Sequence, residues 1–419
     1  MNAFSKIDLG EVTRLTKAGK LTEAMGLLQG SKLPGTTNDE PHRTAQGQAW
    51  RAKRSWPTID MAAPSSPGGA WTAPGYAAGP IAGASAPLGK ASGFPDVSAT
   101  MQAFRSRVAG QASFSSLGEG LATGGQAPLP MADGARFEER TYSNSAGSRT
   151  YKVFIPSGYA GQALPVVMML HGCTQNPDDF AAGTRMNDLA EKETFLVVYP
   201  RQPQSANMQK CWNWFKAEDQ RREGGEPSLI AGIALAVVDE FSADPTRVYV
   251  AGLSAGGAAA AIMGATYPDL FAAVGVHSGL ACGAAKDMPS AFAAMNGGGV
   301  TRARGDGPAA PTIVFHGDSD RTVNLVNGDQ VIAQARPQTT LATAVTRGEA
   351  QGGMAYTRTV HSNDAGQEVL EQWVLHGAGH AWSGGSASGS YTDPRGPDAS
   401  REMLRFFLAQ VSTKATTRH

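Results

Sequence analysis

The sequence is poor in several features that would each point to a class of function. Its 36 lysines and arginines are balanced by 36 aspartates and glutamates, so it lacks the positive excess that nucleic-acid binding requires. No apolar run is long enough to span a membrane. Residues 1–30 alternate charged and apolar positions and lack the unbroken apolar core of a secretory signal peptide. These absences predict a cytoplasmic protein with neither a nucleic-acid partner nor a membrane span.

Cysteine is also scarce, with only three in 419 residues: Cys173, Cys211 and Cys282. A low, odd number is ordinary in a reducing compartment, which agrees with a cytoplasmic location. The spacing matches no metal-binding pattern, so no metal site is expected. Cys173 and Cys211 could pair in a secreted chain, but sequence alone cannot place their sulfur atoms within bonding distance. Their pairing therefore stays open.

Composition divides the chain into four segments. Residues 1–30 have apolar positions at helical spacing, which predicts a short helical hairpin that is too small to hold a core alone. Residues 31–135 are rich in proline, glycine, alanine and serine. They predict a mostly disordered linker because they cannot bury enough apolar surface. Residues 136–412 have the texture of a folded α/β domain, and residues 413–419 form a polar tail.

Within residues 136–412, apolar strand patterns alternate with helical patterns. Residues 137–142 and 151–156 predict an antiparallel strand pair. Apolar runs predict further strands at 165–170, 195–199, 247–251, 273–276, 312–315 and 370–375. Helical patterns begin at Pro177 and cover 228–241. This alternation predicts an α/β fold with a doubly wound, mostly parallel sheet.

The most informative motif is Gly252-Leu253-Ser254-Ala255-Gly256, which lies between an apolar strand and a helix of small residues. In that context the pattern is typical of a nucleophile elbow, in which a sharp turn exposes the serine at the end of the sheet. A Cβ atom at either glycine would collide with the neighbouring strand or helix. The backbone N–H of Ala255 would point to the position of a substrate oxyanion. The alternative is a glycine-rich turn without chemistry.

A serine nucleophile needs a general base, and the base needs an acid that holds its tautomer. In elbow enzymes the acid and the base follow the serine in that order. Asp318 and Asp320 compete as the acid, and Asp320 is preferred because it lies further into its loop. His380, in a glycine-rich loop after the strand 370–375, is the predicted base, whereas His376 is expected to bond locally. Two other histidines at strand ends are assigned structural roles: His277 and His316.

Two further loops complete the predicted site. Residues 171–175, after an early central strand, supply the expected second oxyanion donor, the backbone N–H of Cys173. Trp212 and Trp214 lie in a dense aromatic segment that either packs in the core or lines a cleft to grip an apolar ester chain. Trp382, close to His380, is predicted to wall the same cleft.

Together these motifs resemble the poly(3-hydroxybutyrate) depolymerase family of esterases. This family is a branch of the α/β-hydrolases and is related to feruloyl and acetylxylan esterases. The matching motifs lie at residues 170–175, 211–215, 247–257, 267–273, 316–320 and 379–385, and the similarity covers about residues 136–412. The resemblance implies an α/β-hydrolase fold, with Ser254 as nucleophile, Asp320 as acid and His380 as base. It also implies substrate binding by the segment of Trp212 and Trp214.

The chain is more similar to the intracellular members, which act on stored polymer granules, because a signal peptide and a C-terminal substrate-binding domain are not recognised. The expected function is therefore a serine esterase that cleaves poly(3-hydroxybutyrate) or its oligomers through an acyl-enzyme. It needs no metal or organic cofactor, and its partners are the polyester and its storage granules. One alternative is a feruloyl or acetylxylan-type carbohydrate esterase, which would be extracellular. The other is a non-catalytic protein that binds polymer granules through residues 1–135.

Overall fold

A computed structural model describes residues 131–299 and 310–412 of the chain. The predicted helical hairpin at 1–30 and the polar tail at 413–419 lie outside the described residues. So does the predicted linker, apart from its last five positions.

A ten-stranded sheet forms the centre of the described domain. Its strands are β1 (Arg136–Asn144), β2 (Gly147–Ile155), β3 (Val166–Leu170), β4 (Leu196–Pro200), β5 (Val248–Leu253), β6 (Ala273–His277), β7 (Thr312–Gly317), β8 (Ala342–Glu349), β9 (Ala355–Ser362) and β10 (Glu368–Leu375). Their order is β1-β2-β4-β3-β5-β6-β7-β10-β9-β8. The six strands from β4 to β10 in this order are parallel, and antiparallel strands extend the sheet at both ends. The predicted mostly parallel sheet is confirmed.

Helices cover both faces of the sheet. They are α1 (Pro177–Thr184), α2 (Met186–Glu193), α3 (Gly225–Glu240), α4 (Ala255–Thr266), α5 (Met288–Gly297), α6 (Val326–Ala335) and α7 (Ala399–Leu408), with a 3₁₀ turn at Ala217–Gln220 and a small two-stranded ladder of β11 (Trp382–Ser383) and β12 (Thr392–Asp393). None of the helices in the described ranges combines the length and apolar character needed to cross a bilayer.

Alternating side chains of the central strands pack into two apolar cores, one on each face of the sheet. In β3, Met168 packs with α3 and α4 on one face, whereas Val167 and Met169 pack with α1 and α7 on the other. This burial on both faces explains why the strand reads as an unbroken apolar run. Because the parallel strands end at one edge, the loops after β3, β5, β7 and β10 meet there.

The hairpin of β8 and β9 was not predicted from the sequence. All but one of the β8 residues are exposed, so the strand has no apolar alternation that would distinguish it from a loop. It is held by its ladder with β9, which in turn pairs with β10.

Candidate active site

The turn between β5 and α4 holds Ser254 in a strained conformation. Its φ of 57° and ψ of −118° lie in a region that residues with a side chain rarely adopt. The Ser254 N–H donates to the carbonyl of His277 at 2.9 Å, and the Ser254 carbonyl accepts the N–H of Ala258 at 2.9 Å. These two bonds fix the turn from the sheet side and from the helix side.

The glycines around Ser254 have the steric role predicted for them. A Cβ atom at Gly252 would overlap the carbonyl of Gly256, and a Cβ atom at Gly256 would overlap the carbonyl of Leu170 in β3. Ala255 is the first residue of α4, where a backbone N–H has no acceptor within its helix. The positive end of the helix dipole therefore lies beside Ser254.

Asp320 and His380, which we call the buried pair, meet in the loops after β7 and β10. The Nδ1 of His380 lies 2.7 Å from Oδ2 of Asp320. The other carboxylate oxygen accepts the N–H groups of Thr322 and Val323 at 2.8 and 2.9 Å. Burial of Asp320 favours its neutral form, but His380 and the surrounding hydrogen bonds outweigh burial, so the pKa of Asp320 lies below its usual range. An ionised Asp320 assigns the proton of neutral His380 to Nδ1.

Ser254 and His380 line one small cleft, together with Cys173 and Thr322. Ser254, Cys173 and Ala255 also border an apolar cavity of about 60 Å³. The structure therefore brings together the predicted nucleophile, base, acid and both predicted oxyanion donors at one edge of the sheet.

Two buried histidines surround this arrangement without joining it. His316 lies 3.7 Å from Asp320, but its Nε2 donates to the carbonyl of Val323 at 2.8 Å. His277 accepts the N–H of Ser383 on Nε2 at 3.0 Å, and burial lowers the pKa of His277 to about 3. Burial also lowers the pKa of His316, so both rings are neutral near pH 7.

The rival acid and base also contact each other, and we call them the exposed pair. The Nδ1 of His376 lies 2.9 Å from Asp318, and its Nε2 lies 2.9 Å from the hydroxyl of Thr357 in β9. The other oxygen of Asp318 accepts the N–H of Gly377 at 2.7 Å. Asp318 thus ties the loop after β7 to the loop after β10, and His376 bonds across to β9 rather than to residues near it in sequence.

The oxyanion loop, residues 171–175, is covalently joined to the aromatic segment, residues 211–215. The link is a disulfide bond between Cys173 and Cys211, whose pairing the sequence had left open. Within the loop, the N–H of Gly172 donates to the side chain of Gln175 at 2.9 Å. The position of the Cys173 backbone is therefore tied to that of the aromatic segment.

Of the three tryptophans predicted to contact substrate, only Trp214 borders the cavity beside Ser254. Trp212 is fully buried, and its indole N–H donates to the carbonyl of His171 at 3.1 Å. Trp382 is 1% exposed, stacks on His277 and donates to Ser400 at 3.1 Å. This burial favours the core-packing alternative for Trp212, and substrate contact by Trp212 and Trp382 stays a prediction.

The sequence reasoning missed most of the cavity wall. Helix α5 contributes Met288, Phe292 and Met295, and loops contribute Phe215, Leu280 and Val323. Large apolar residues at positions 288, 292 and 295 recur at helical spacing, and this was the available signal. It indicates an apolar helix face but not which surface that face covers.

Comparison with known proteins finds esterases among the similar sequences. Residues 149–352 match the family described as esterase PHB depolymerase. Poly(3-hydroxyalkanoate) depolymerase C of Paucimonas lemoignei is 34% identical over 238 residues, which cover 54% of this chain and 56% of that protein. A probable acetylxylan esterase A of Neosartorya fischeri is 29% identical, with 43% of this chain and 53% of that protein covered. The chain thus spans about half the length of these curated relatives.

Among solved structures, an acetyl xylan esterase from Aspergillus awamori superposes with a TM-score of 0.50 at 20% sequence identity. The superposition covers 65% of this chain and 99% of that one. At this identity the likeness establishes the fold, which is the α/β-hydrolase fold expected from the elbow. Through residues 149–352, the chain is thus similar to the PHB depolymerase family of esterases.

Proposed function

We propose that the protein is a serine esterase that hydrolyses poly(3-hydroxybutyrate) or its oligomers. The observation that carries the proposal is the buried pair, which opens onto the same cleft as the strained turn of Ser254. Acyl transfer on this fold requires a hydroxyl, an acid and a base, which follow one another along the chain in that order.

In the proposed reaction, Ser254 Oγ attacks the ester carbonyl while Nε2 of His380 takes the serine proton. Asp320 stabilises the imidazolium that forms, and the N–H groups of Ala255 and Cys173 stabilise the oxyanion. The alcohol leaves with the proton that His380 returns. Water then repeats the sequence on the acyl-enzyme and releases the acid, so both half-reactions balance without a cofactor.

The size of the cavity beside Ser254 supports a short acyl group. Its volume of about 60 Å³ is well below the roughly 150 Å³ of an apolar cavity that binds a benzene ring. Its described lining residues carry no charge. A four-carbon hydroxyacyl chain suits this apolar space better than a bulky feruloyl ring does. An acetyl group also fits, so an acetylxylan-type esterase is the second candidate, in line with the acetylxylan esterase relative.

The disulfide bears on where the protein works. Disulfide bonds persist in oxidising compartments and are rare in the cytosol. The Cys173–Cys211 bond therefore supports the extracellular alternative over the cytoplasmic location that cysteine scarcity had suggested. Thiol labelling of denatured protein taken directly from cells tests this: one reactive thiol per chain supports the oxidised form, and three support a reducing compartment.

The experiment that tests the function compares wild type with Ser254→Ala on amorphous poly(3-hydroxybutyrate), acetylated xylan and methyl ferulate. Thr357→Ala is the matched control, because it removes another hydroxyl that faces a histidine. We expect wild type and the control to release 3-hydroxybutyrate or its oligomers, and Ser254→Ala to be inactive. Activity on xylan with inert polyester would favour the second candidate. Polymer binding without any Ser254-dependent hydrolysis would favour the non-catalytic alternative.

A further inference from the structure

A buried carboxylate that the proposed reaction does not use lies behind the aromatic segment. Glu226, in the first turn of α3, is 5% exposed. It is absent from the lining of the cavity beside Ser254 and of the cleft that holds His380. Burying a carboxylate is costly unless its oxygens are fully hydrogen-bonded, so its presence needs a structural reason.

The carboxylate oxygens of Glu226 accept from several hydrogen-bond donors, and its backbone N–H donates to Asp219 at 2.7 Å. Oε2 accepts the backbone N–H of Asn213 at 2.7 Å. Oε1 accepts the side-chain amide of Asn213 at 2.7 Å and that of Gln202. The guanidinium of Arg149 lies 3.5 Å from the same oxygen. An ionised carboxylate can accept all of these bonds on its two oxygens.

Gln202 extends the network to the oxyanion loop. Its side-chain amide also donates to the carbonyl of Cys211 at 2.9 Å, and its backbone N–H donates to Nε2 of His171 at 3.1 Å. Trp212 adds a second link between the aromatic segment and the oxyanion loop, because its indole N–H donates to the carbonyl of His171. The aromatic segment is therefore held to the strand ends by polar contacts that converge on one carboxylate.

Other residues of the same segment border the proposed reaction site. Trp214 and Phe215 line the cavity beside Ser254, and Cys211 carries the disulfide to Cys173. A displacement of Asn213 would thus move both the cavity wall and one proposed oxyanion donor. Errors of about 1 Å in such positions cost about 10²-fold in rate.

We propose that Glu226 is a positioning residue for the ester hydrolysis proposed above. Its carboxylate holds Asn213, and through it sets the aromatic segment and the backbone of Cys173 in the arrangement that stabilises the transition state. Burial and the nearby Asp219 raise the pKa of Glu226, whereas the bonds from Asn213 and Gln202 and the charge of Arg149 act in the opposite direction. This inference rests on the proposed function, and it adds the residue that positions the aromatic segment beside the cavity.

The test is Glu226→Gln, which keeps the shape but turns an NH₂ group toward donors. Butylboronic acid serves as the probe, because its boron becomes tetrahedral on a nucleophilic serine and imitates the transition state. We expect kcat for p-nitrophenyl butyrate and the affinity for the boronate to fall together by about 10²-fold, with a much smaller change in KM. A change in overall stability alone would not produce this coupled loss.

Glu371→Gln is the matched control. Glu371 is a fully buried carboxylate in β10, held by Arg358 and Arg405, and it lines neither the cavity nor the cleft. This variant should unfold more easily yet keep the boronate affinity of the wild type. If Glu226→Gln fails to fold, Asn213→Ser retains the backbone bond to Glu226 and removes the amide bond, and should lower boronate affinity by about tenfold.

The outcomes separate the two proposals. Wild-type protein that neither hydrolyses an ester nor binds the boronate overturns the proposed function. Active wild type, with folded Glu226→Gln or Asn213→Ser showing unchanged boronate affinity, overturns only the role of Glu226.

Discussion

The buried pair and the exposed pair come from the same two loops and share the same local chemistry. A carboxylate oxygen contacts Nδ1 of the histidine at 2.7 Å in the buried pair and at 2.9 Å in the exposed pair. The exposed pair even continues to a hydroxyl, that of Thr357, at 2.9 Å. A single acid–histidine distance therefore does not distinguish a catalytic arrangement from a surface contact.

The surroundings make the difference. The side chains of Asp320 and His380 are 0% and 7% exposed, whereas those of Asp318 and His376 are 35% and 42% exposed. Charges interact more strongly where water is excluded. Ser254 stands on a strained turn at a helix N-terminus, whereas Thr357 lies within the regular strand β9. The comparison teaches that burial and neighbouring backbone donors, rather than the acid–base contact, support the proposed catalytic role of the buried pair.

The two hydroxyl groups should give the largest contrast. Ser254→Ala removes the proposed nucleophile and should lower kcat by about 10⁶-fold, whereas Thr357→Ala should leave it unchanged. The measurement is hydrolysis of p-nitrophenyl butyrate, with mass spectrometry of protein quenched during turnover to find the acylated peptide. An acyl group on the peptide of Thr357 would contradict the proposal that only the hydroxyl of Ser254 is the nucleophile.

The second-largest difference in kcat is expected between variants of the two aspartates, Asp320 and Asp318. Asp320→Asn should reduce kcat by about 10⁴-fold, because an amide cannot stabilise the imidazolium and holds the wrong tautomer of His380. Asp318→Asn should retain wild-type kcat. Circular dichroism of both variants confirms folding before the assay. Equal losses in the two variants would mean that burial does not separate the pairs.

The packing around the turn of Ser254 can be disrupted without changing a residue of the buried pair or the exposed pair. Gly256→Ala forces a methyl group against the carbonyl of Leu170 and should lower the free energy of unfolding by about 3 kcal/mol. Gly297→Ala is the control, because nothing lies within 4 Å of its added Cβ. Urea denaturation of the two variants measures the difference. A stable, fully active Gly256→Ala would show that the turn tolerates relaxation.

The smallest effect is expected for the stability contributed by the exposed pair. Burial alone would raise the pKa of Asp318, but bonds from His376 and from the N–H of Gly377 outweigh burial and lower it. A lowered carboxyl pKa stabilises the fold above the unfolded value of about 3.9, and this contribution is lost as pH falls through the folded value.

Asp318→Asn should therefore cost less than about 1 kcal/mol at pH 6, since the pair is exposed to solvent. The difference from wild type should shrink in high salt and vanish once the pH falls below the lowered folded pKa of Asp318. Urea denaturation at these conditions checks the prediction. A difference that persists in acid would assign the loss to packing instead of charge.

The strongly patterned parts of this domain were predictable from the sequence. The central strands are doubly buried, so their apolar runs marked them, and steric exclusion at Gly252 and Gly256 followed from the elbow motif alone. Asp320 and His380 were placed in loops that the structure brings into contact, because parallel strands end at one edge.

The lining of the cavity could not be predicted, because it depends on the direction in which each side chain points, and the sequence does not reveal this direction. Trp212 and Trp214 are two positions apart, yet one is sealed beneath the oxyanion loop and the other borders the cavity. The Cys173–Cys211 bond and the cavity wall from α5 likewise arise from tertiary proximity. The strand β8 escaped prediction because its exposed face carries no apolar pattern.

The anchoring of the aromatic segment also bears on how such proteins diversify. Residues 211–215 are fastened by side-chain bonds and one disulfide, outside the strands whose ends carry Ser254, Asp320 and His380. Substitutions of Trp214 or Phe215 can thus reshape the cavity beside Ser254 without altering the strands of the sheet, whereas substitutions of Cys211 or Asn213 would also shift the oxyanion loop.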